Sequence, residues 1–289
     1  MQLSIVLLQK IKNITLKRFS FLCILVMVNL ACQAQFYYKD VISNKLLQNE
    51  MLTYKNNKVR SVLITSYEDN GEKSEGFFCS KKITKDYKKT TLFTRADVSP
   101  AALLVSVFDA DGRLLQTTDS SQIIVKHIQY TYNDAKKITT IKSTLRSKDE
   151  DFDNSITEEH LYTYTKNVLS QMQLIKNEKD TTLILFFTDE QGNVTLEKNA
   201  KSGQKYYYYY DAKGLLTDIV PAFNNEQRLK PDYIFVYDNA GLIKQMTAVE
   251  EGSNNYFVWK YSYENGLRTT EKCYTNERKL MGSIAYEYK

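Results

Sequence analysis

The distribution of apolar and polar residues along the chain predicts strands over most of its length. Apolar and β-branched residues fill short runs such as residues 59–67, and turn-forming pairs such as Asn70-Gly71 separate the runs. Such runs between turn signals are typical of strands, and Asn-Gly favours a tight hairpin. One segment differs: between residues 40 and 55 apolar residues recur mostly every four positions, which predicts a short helix.

From residue 101 to the C-terminus one unit recurs: an apolar or aromatic strand, a polar turn, and a second strand. The clearest copies are Phe108-Asp109-Ala110-Asp111-Gly112-Arg113-Leu114, Tyr210-Asp211-Ala212-Lys213-Gly214-Leu215-Leu216 and Tyr237-Asp238-Asn239-Ala240-Gly241-Leu242-Ile243. In each turn the Asp side chain can bond to the backbone, and Gly can take the positive φ that closes the turn. The turn glycines at 192, 214, 241 and 266 lie 22, 27 and 25 residues apart, a spacing that indicates a repeat architecture.

These units resemble the YD repeats of the Rhs family, through Tyr-Asp-x-x-Gly-x-Leu at 210–216, the related 237–243, and Phe-Asp-x-x-Gly-Arg-Leu at 108–114. The resemblance covers residues 101–289 and implies a long antiparallel sheet that coils into a shell. The chain departs from the family because one unit alone has Gly-Arg-Leu and because no Pro-rich core motif with a following toxin domain is found. We therefore expect an all-β protein, an antiparallel meander of stacked hairpins, in which residues 35–100 form a β-rich, helix-containing cap.

The N-terminus is predicted to be an export signal spanning residues 1–34. Four basic residues precede an apolar run of 13 residues, 19–31, which is too short for a transmembrane helix. Cleavage after Ala34 removes four basic and no acidic residues, so the net charge falls from +5 to 39 − 4 − 34 = +1. A nearly neutral chain without a concentrated basic face excludes nucleic acid as an expected partner. We expect an exported protein, in the periplasm, on the outer-membrane surface or outside the cell.

Three of the four cysteines are candidates for lipidation or for a disulfide. Leu30-Ala31-Cys32 resembles part of a bacterial lipobox, although Asn29 stands where a large aliphatic residue is usual; lipidation of Cys32 would anchor the protein to a membrane. Cys79 and Cys273 remain after cleavage, and in an oxidising compartment they either pair or stay as buried thiols.

Five consecutive tyrosines, Tyr206, Tyr207, Tyr208, Tyr209 and Tyr210, form the most distinctive aromatic segment. Alternate side chains of a strand face opposite ways, so Tyr206, Tyr208 and Tyr210 share one face and Tyr207 and Tyr209 the other. The segment is either ordinary sheet packing or a platform for a sugar or a peptide.

Metal and catalytic motifs are weak in this sequence. Asp109-Ala110-Asp111-Gly112 begins like a calcium loop, but Arg113 stands where the next oxygen ligand should be. The acidic cluster at residues 149–154 is either a cation site or a solvated loop. The histidines His127 and His160 are either part of an acid–base pair or ordinary surface groups. No cofactor is expected.

The function predicted from these features is a non-catalytic binding or structural module of the bacterial cell envelope, with an envelope protein or a glycan as partner. Three alternatives stay open. One is a carboxylate-dependent glycan hydrolase on the β scaffold, the second a lipid-anchored outer-membrane lipoprotein component, and the third an outer-membrane barrel.

Overall fold

The computed structural model describes residues 36–97, 99–149, 155–222, 230–250 and 255–289. Within these residues the chain forms one helix and antiparallel strands, as the sequence predicts. The helix α1 spans Lys39–Asn56, against the predicted 40–55. The strands are β1 (Ser61–Glu68), β2 (Phe78–Ile83), β3 (Lys89–Ala96), β4 (Ser99–Phe108), β5 (Leu114–Ser120), β6 (Ile124–Tyr132), β7 (Ile138–Ser147), β8 (Ser155–Thr165), β9 (Val168–Lys176), β10 (Asp180–Thr188), β11 (Val194–Asn199), β12 (Lys205–Tyr210), β13 (Leu216–Ala222), β14 (Tyr233–Tyr237), β15 (Ile243–Val249), β16 (Tyr256–Glu264), β17 (Leu267–Thr275) and β18 (Leu280–Tyr288).

The eighteen strands form a closed ring. Each strand pairs with its neighbours in sequence, and β18 pairs with β1 over seven residues, from Val62 opposite Tyr288 to Glu68 opposite Gly282. The seam is tight: a Cβ atom at Gly282 would lie 2.8 Å from the carbonyl oxygen of Tyr67. Closure satisfies the backbone groups that an open sheet would leave unpaired at its two edges.

The N-terminal strands, within the predicted cap at residues 35–100, are part of the ring. The expected boundary at residue 100 falls inside β4, and β1 to β3 belong to the same ring as the recurring hairpins. A cap is not needed to cover an edge, because β1 itself covers the edge of β18. The predicted export signal at residues 1–34, including Cys32, lies outside the described residues.

The turns of the recurring unit share one set of hydrogen bonds. In four of them an Asp Oδ1 accepts bonds from the backbone N–H groups two and four residues later, as Asp211 does from Lys213 and Leu215 at 2.9 Å each. The equivalent residues are Asp109, Asp189 and Asp238. The glycine three residues after each Asp has positive φ, for example +73° at Gly214, and its N–H bonds back to the Asp carbonyl. This is the three-residue hairpin with a glycine bulge.

Six tyrosine hydroxyls connect a unit to the one before it, whereas Phe108 stands at this position in another unit. The tyrosine that ends one strand lies at a β-bulge and donates a hydrogen bond to the carbonyl that begins the second strand of the preceding hairpin, as Tyr237 does to Leu216 at 2.7 Å. The same bond recurs at Tyr132–Leu114, Tyr164–Ile138, Tyr210–Val194, Tyr263–Ile243 and Tyr288–Arg268. The hairpins that carry these tyrosines are thus fastened to their neighbours by a side chain as well as by the backbone ladder.

One face of every strand points into the ring and forms the core. Buried residues alternate along the strands, for example Ile184 and Phe186 on β10, and cross-strand partners such as Met172 and Ile184 are buried together. We call this the inner face and the opposite one the outer face. Burial of large apolar side chains on the inner face supplies the main stabilising free energy.

By its contacts the chain divides into a unit that ends at Leu46 and a larger unit from Leu47 to Lys289. In the larger unit, the second half of α1 contacts the inner face. Glu50 forms an ion pair with Lys81 of β2 at 2.8 Å, and the ring of Tyr54 lies 6.3 Å from that of Tyr288 of β18. The helix therefore contacts both strands that flank β1 at the seam.

Replacing Tyr237 by Phe tests the bond between neighbouring units. We expect Tyr237→Phe to lower the free energy of unfolding by about 1 kcal/mol, because it deletes the bond to the Leu216 carbonyl and keeps the ring. Urea unfolding followed by circular dichroism measures the change. The matched control is Tyr209→Phe, since Tyr209 lies exposed on the outer face; an equal loss in both variants contradicts the prediction.

Replacing Asp211 tests the turn. We expect Asp211→Ala to cost about 1–2 kcal/mol of unfolding free energy, since two backbone N–H groups lose their acceptor. Asp211→Asn keeps an acceptor oxygen and should cost less than half as much. The exposed Lys213→Ala in the same turn is the control. Equal unfolding midpoints for the Ala and Asn variants at position 211 would mean that the side-chain oxygen does not stabilise the turn.

Candidate functional site

The most deeply buried carboxylate of the described residues lies on the inner face beside the seam. Glu271 of β17 is 0% exposed and accepts hydrogen bonds from Arg268 at 2.6 Å and from the hydroxyl of Tyr286 at 2.5 Å. The Arg268 guanidinium also lies over the rings of Tyr261 and Tyr263, at 4.5 and 5.8 Å from their centroids. A cation between aromatic faces and a carboxylate is doubly stabilised.

The pKa values of this cluster follow from burial and pairing. Burial raises the pKa of Glu271, but the charge of Arg268 and the hydrogen bonds from Tyr286 and Arg268 outweigh it and hold that pKa below its ordinary value. Burial and then the Glu271 charge raise the pKa of Tyr286 well above its ordinary value. Around neutral pH the cluster is therefore a fixed ion pair with a neutral tyrosine. It has no group poised to exchange a proton near pH 7, which favours a structural role.

Two further carboxylates accept hydrogen bonds from tyrosines, one buried on the inner face and one half-buried on α1. Glu197 of β11 accepts a hydrogen bond from Tyr208 at 2.8 Å. Glu50 of α1 accepts bonds from Lys81 at 2.8 Å and from Tyr54 at 2.7 Å. These carboxylates are paired with groups of the protein itself, so they fasten neighbouring elements together.

The five tyrosines that the sequence offers as a ligand platform are divided between the two faces. Tyr206 and Tyr208 lie on the inner face, each 2% exposed, and the hydroxyl of Tyr210 bonds to the Val194 carbonyl. Tyr207 and Tyr209 alone lie on the outer face, where Tyr209 is 49% exposed. Three of the five rings are therefore part of the core and of the contact between units, and a role of the segment as a ligand platform stays a prediction that concerns Tyr207 and Tyr209.

The outer face of β10 to β14 carries a continuous apolar surface, which we call the β10–β14 patch. Its residues occupy facing positions on adjacent strands: Phe187 pairs with Leu196, Leu196 with Tyr207, and Tyr209 and Ile234 both pair with Asp218. The exposed members are Leu183, Phe187, Tyr209, Ile234 and Val236. Adjacent exposed apolar residues often mark an interaction site, whereas apolar residues scattered singly over a surface do not.

A second apolar surface lies on the outer face of β1 to β4, and we call it the β1–β4 patch. Leu63, Phe78 and Leu103 are exposed, and the rings of Phe78 and Phe93 are 6.0 Å apart. A shallow depression of about 220 Å³ borders it, lined in part by Phe93, Leu103 and Lys148.

The strands between the patches present polar residues outward. On β5 to β8 the outer positions Thr118, His127, Thr144 and Thr157 pair in one row across four strands. On β9 the outer residues include Gln171 and Gln173. On this side of the ring, from β5 to β9, the outer face is thus mainly polar, whereas on the other side Tyr256 is exposed on the outer face of β16.

The histidines and the calcium-like loop have structural partners. His127 lies on the outer face with Nδ1 at 2.9 Å from the Thr118 hydroxyl, and the buried His160 lies 2.8 Å from Glu158. Asp109 accepts bonds from the backbone and from Arg113 in a turn, as the mismatch to a calcium loop predicts. Of the acidic cluster 149–154, residues 150–154 lie outside the described part of the chain.

Cys79 and Cys273 are free thiols on the inner face. They lie on β2 and β17, with β1 and β18 between them, so about 14 Å of sheet separates their strands. A disulfide needs Cα atoms within about 7 Å. The buried-thiol alternative therefore agrees with this structure. No group of three or more His, Cys, Asp or Glu that could hold a metal occurs among the described residues.

No helix in the described ranges is long and apolar enough to cross a membrane.

Comparison with known proteins gives no family. No protein-family model and no curated protein matches the sequence. Among solved structures, the chain is similar to a porin-like protein from Bacteroides uniformis, with 11% identity and a TM-score of 0.36 over 80% of this chain and 98% of that one. It is also similar to TcdB2-TccC3, with 12% identity and a TM-score of 0.34 over 80% of this chain, which corresponds to 14% of the other chain.

The raised pKa values of buried acids predict a loss of stability at alkaline pH. Burial and then the Glu271 charge raise the pKa of Cys273 from 9.0 to about 12, and burial and then Asp211 raise that of Tyr237 from 10.0 to about 12. The unfolded chain releases these protons first, so their contribution is complete below pH 9 and is lost between about pH 9 and pH 12.

We expect Cys273→Ala to flatten the pH dependence of the unfolding free energy just above pH 9, by up to about 1.4 kcal/mol per pH unit. Unfolding in urea at a series of pH values measures the slope. Ile284→Val also trims a buried side chain but removes no titrating group, so it should lower stability at every pH and leave the slope unchanged. A wild-type slope retained in Cys273→Ala would contradict the prediction.

Proposed function

We propose that the protein is an exported, non-catalytic structural or binding module of the bacterial cell envelope, and that its outer face is the working surface. One observation carries the proposal: the inner face is packed with side chains whose charges are paired within the protein, whereas the outer face carries two apolar patches. The expectation of export rests on the signal-like pattern of residues 1–34. An envelope protein or a glycan is the expected partner.

The alternative of a glycan hydrolase is less well supported by the described residues. Hydrolysis by two carboxylates requires both groups to face a substrate, with one of them at a raised pKa. Glu271 is buried, paired with Arg268 and has a lowered pKa. Glu197 is buried against Tyr208. Both carboxylates are thus buried and bonded to neighbouring side chains.

The alternative of an outer-membrane barrel is disfavoured by the polar part of the outer face. A chain whose strands span lipid needs an apolar outward band around the whole ring. The row Thr118, His127, Thr144 and Thr157 lies across the middle strands of the polar part and would face lipid. The alternative of a lipid anchor depends on Cys32 and is independent of the ring; it remains part of the proposal.

Binding to defined envelope polymers tests the function. The full chain, exported and processed by a bacterial host, is applied to peptidoglycan, to lipopolysaccharide and to a glycan array. We expect saturable binding to at least one of them, weakened at least about tenfold by Tyr209→Ser, because an exposed ring on a flat sheet face supplies apolar contact area to a partner.

Gln171→Ser is the matched control, since Gln171 is exposed on the outer face of the polar part. Absence of binding to every polymer counts against the binding role, and release of new reducing ends from any glycan would show a hydrolase instead. The mass and N-terminus of the processed chain test the export step: a start at Gln35 indicates a freely exported protein, and a lipidated Cys32 an anchored one.

A further inference from the structure

The end of the ring at which the chain passes from α1 into β1 carries a concentrated positive charge. The connections after even-numbered strands lie at this end, which we call the turn end, and β18 also ends there. Two short segments supply the charge, residues 55–60 and 82–89, in which Asp86 is the one acidic residue. Their seven basic residues, which we call the basic patch, are all exposed or solvent-facing: Lys55, Lys58, Arg60, Lys82, Lys85, Lys88 and Lys89.

Hydrogen bonds of Arg60 bring the two segments together. Its Nη1 donates to the backbone carbonyls of Thr84 and Lys85, at 3.1 and 3.0 Å. Its guanidinium lies over the ring of Tyr87, 4.1 Å from the centroid. The turn that carries Lys85 and Lys88 is thus fixed against the chain that leaves α1. In the sequence these basic residues form only short runs, and the fold makes one surface of them.

The charges of the basic patch are not neutralised by the part of the chain that the structure describes. None of its seven side chains has a carboxylate oxygen of that part within 4.0 Å. Asp86 is engaged in its own turn, where one oxygen accepts bonds from the Thr84 hydroxyl at 2.6 Å and from the N–H of Lys88 at 3.2 Å. In the adjacent turn after β4, Asp109 is already paired with Arg113.

The end of β18 lies beside the basic patch and leaves it positive. It adds the exposed Glu287 and Lys289, and the Lys289 carbonyl accepts a bond from the N–H of Arg60 at 2.5 Å. With these two residues and the carboxylate of Lys289 included, eight basic groups stand against three acidic ones. Residues 35–289 together carry a net charge of +1, so the rest of that stretch is net acidic. The positive charge is therefore concentrated at this place.

Two of the lysines have a local reason. Lys55 lies in the last turn of α1 and Lys58 just after it, where positive charge is favoured by the helix dipole. No such reason applies to Lys82, Lys85 or Lys88, because like charges that crowd on two strands and one turn repel one another and destabilise the fold. A partner with negative charge would remove this repulsion.

The rest of the turn end limits the form of such a partner. The turns after β10, β12, β14 and β16 carry acidic residues at the same end: Asp189, Glu190, Asp211, Asp238 and Glu264. A flat anionic bilayer laid on this end would meet these carboxylates as well as the basic patch, and like charges repel. A linear anionic polymer can lie on the basic patch alone.

The side chains of the patch also favour one kind of polymer. Six of the seven are lysines, whose compact ammonium groups bind acidic groups without the fixed geometry that arginine imposes. Single-stranded nucleic acid is held by rings on which bases stack, but the ring of Tyr87, the one aromatic side chain of the two segments, is covered by Arg60.

We propose that the basic patch binds an anionic polysaccharide, a glycan that carries carboxylate or phosphate groups along its chain. The ammonium groups of the lysines contact these acidic groups, and counterions released from the polymer favour binding. The site is separate from the exposed apolar residues of the outer face. It rests on the proposed function in one respect, because an exported protein meets envelope glycans rather than nucleic acid.

Binding of the full, processed chain to polygalacturonate and to phosphorylated dextran tests the proposal, with uncharged dextran as the matched polymer. We expect binding to both polyanions and none to dextran, with an affinity that falls steeply between about 50 mM and about 200 mM salt. Lys85→Gln combined with Lys88→Gln should raise the dissociation constant at least about tenfold at low salt and reduce the salt slope by about 2. Isothermal titration calorimetry over the salt series measures both.

Two further pairs of substitutions keep the test independent of folding. Lys201→Gln with Lys279→Gln removes the same charge from exposed lysines at the opposite end of the ring and should bind like the wild type. Lys82→Gln with Lys89→Gln leaves the turn unchanged and should also weaken binding. Far-ultraviolet circular dichroism equal to that of the wild type, with an unfolding midpoint no lower, identifies the variants that can be compared.

The proposal is overturned if neither polyanion binds at about 50 mM salt, or if the patch variants bind as tightly as the wild type. Tighter binding to phosphatidylglycerol vesicles or to a DNA duplex than to the glycans overturns the proposed partner. Tyr209→Ser separates this site from the function proposed above. Polyanion binding that this change leaves intact supports the basic patch, whereas polymer binding that depends on Tyr209 but not on the lysines leaves only the proposed function standing.

Discussion

The structure as a whole depends on the pairing of β18 with β1, because this pairing closes the sheet and separates the core from the surface. Eighteen antiparallel strands in sequence order would leave two free edges, each with a row of backbone groups open to other chains. The seven residue pairs from Val62–Tyr288 to Glu68–Gly282 remove both edges at once. Since closure makes a ring, each strand has one face inside and one outside, and the period-two alternation of the sequence becomes the division between core and surface.

The seam also explains where the buried charges lie. Arg268, Glu271 and Tyr286 are on β17 and β18, and Glu50, Tyr54 and Lys81 link α1 to β2 on the other side of β1. Removal of Arg268 leaves the fully buried Glu271 carboxylate without its cation, which is far more costly than the loss of an apolar contact. These groups therefore fix β17 to β18 and α1 to β2 on the two sides of the seam, where no short hairpin turn joins β18 to β1. The other strand pairs have a turn or a connecting loop between them; β18 and β1 are the two ends of the ring.

The sequence predicts the local structure of this protein well because its signals are local. The strand class, the helix near residues 40–55 and the Asp-x-x-Gly turns all depend on residues close together in the chain. Even the degenerate unit at Asn133 forms the same turn, with Lys136 at a φ of +60° where other units have glycine. Here the flanking strands impose the conformation, so the tertiary context overrides the residue preference.

Closure, and which of the two sets of tyrosines is buried, could not be predicted in this way. The contact of β1 with β18 joins residues more than two hundred positions apart, and no periodicity reveals it. A run of five tyrosines fits either face equally well, and the β-bulge between Tyr209 and Tyr210 then turns Tyr210 towards the neighbouring unit. The outer patches did leave a trace in the sequence: on β10 both alternate sets, Ile184 with Phe186 and Leu183 with Phe187, are apolar. A strand that is apolar on both faces needs a second surface to cover it.

That requirement connects the repeat architecture to the proposed function. In a stack of hairpins each unit is stabilised by its neighbours, and here the ring supplies both neighbours to every unit, through the backbone ladder and through hydroxyl bonds such as Tyr237 to Leu216. The inner face therefore needs no partner, and nothing in the fold demands an apolar residue at Phe78 or Phe187, which face outward. Apolar side chains at positions that do not stabilise the ring cost solubility, so their grouping into two patches is best explained by a surface that they bind.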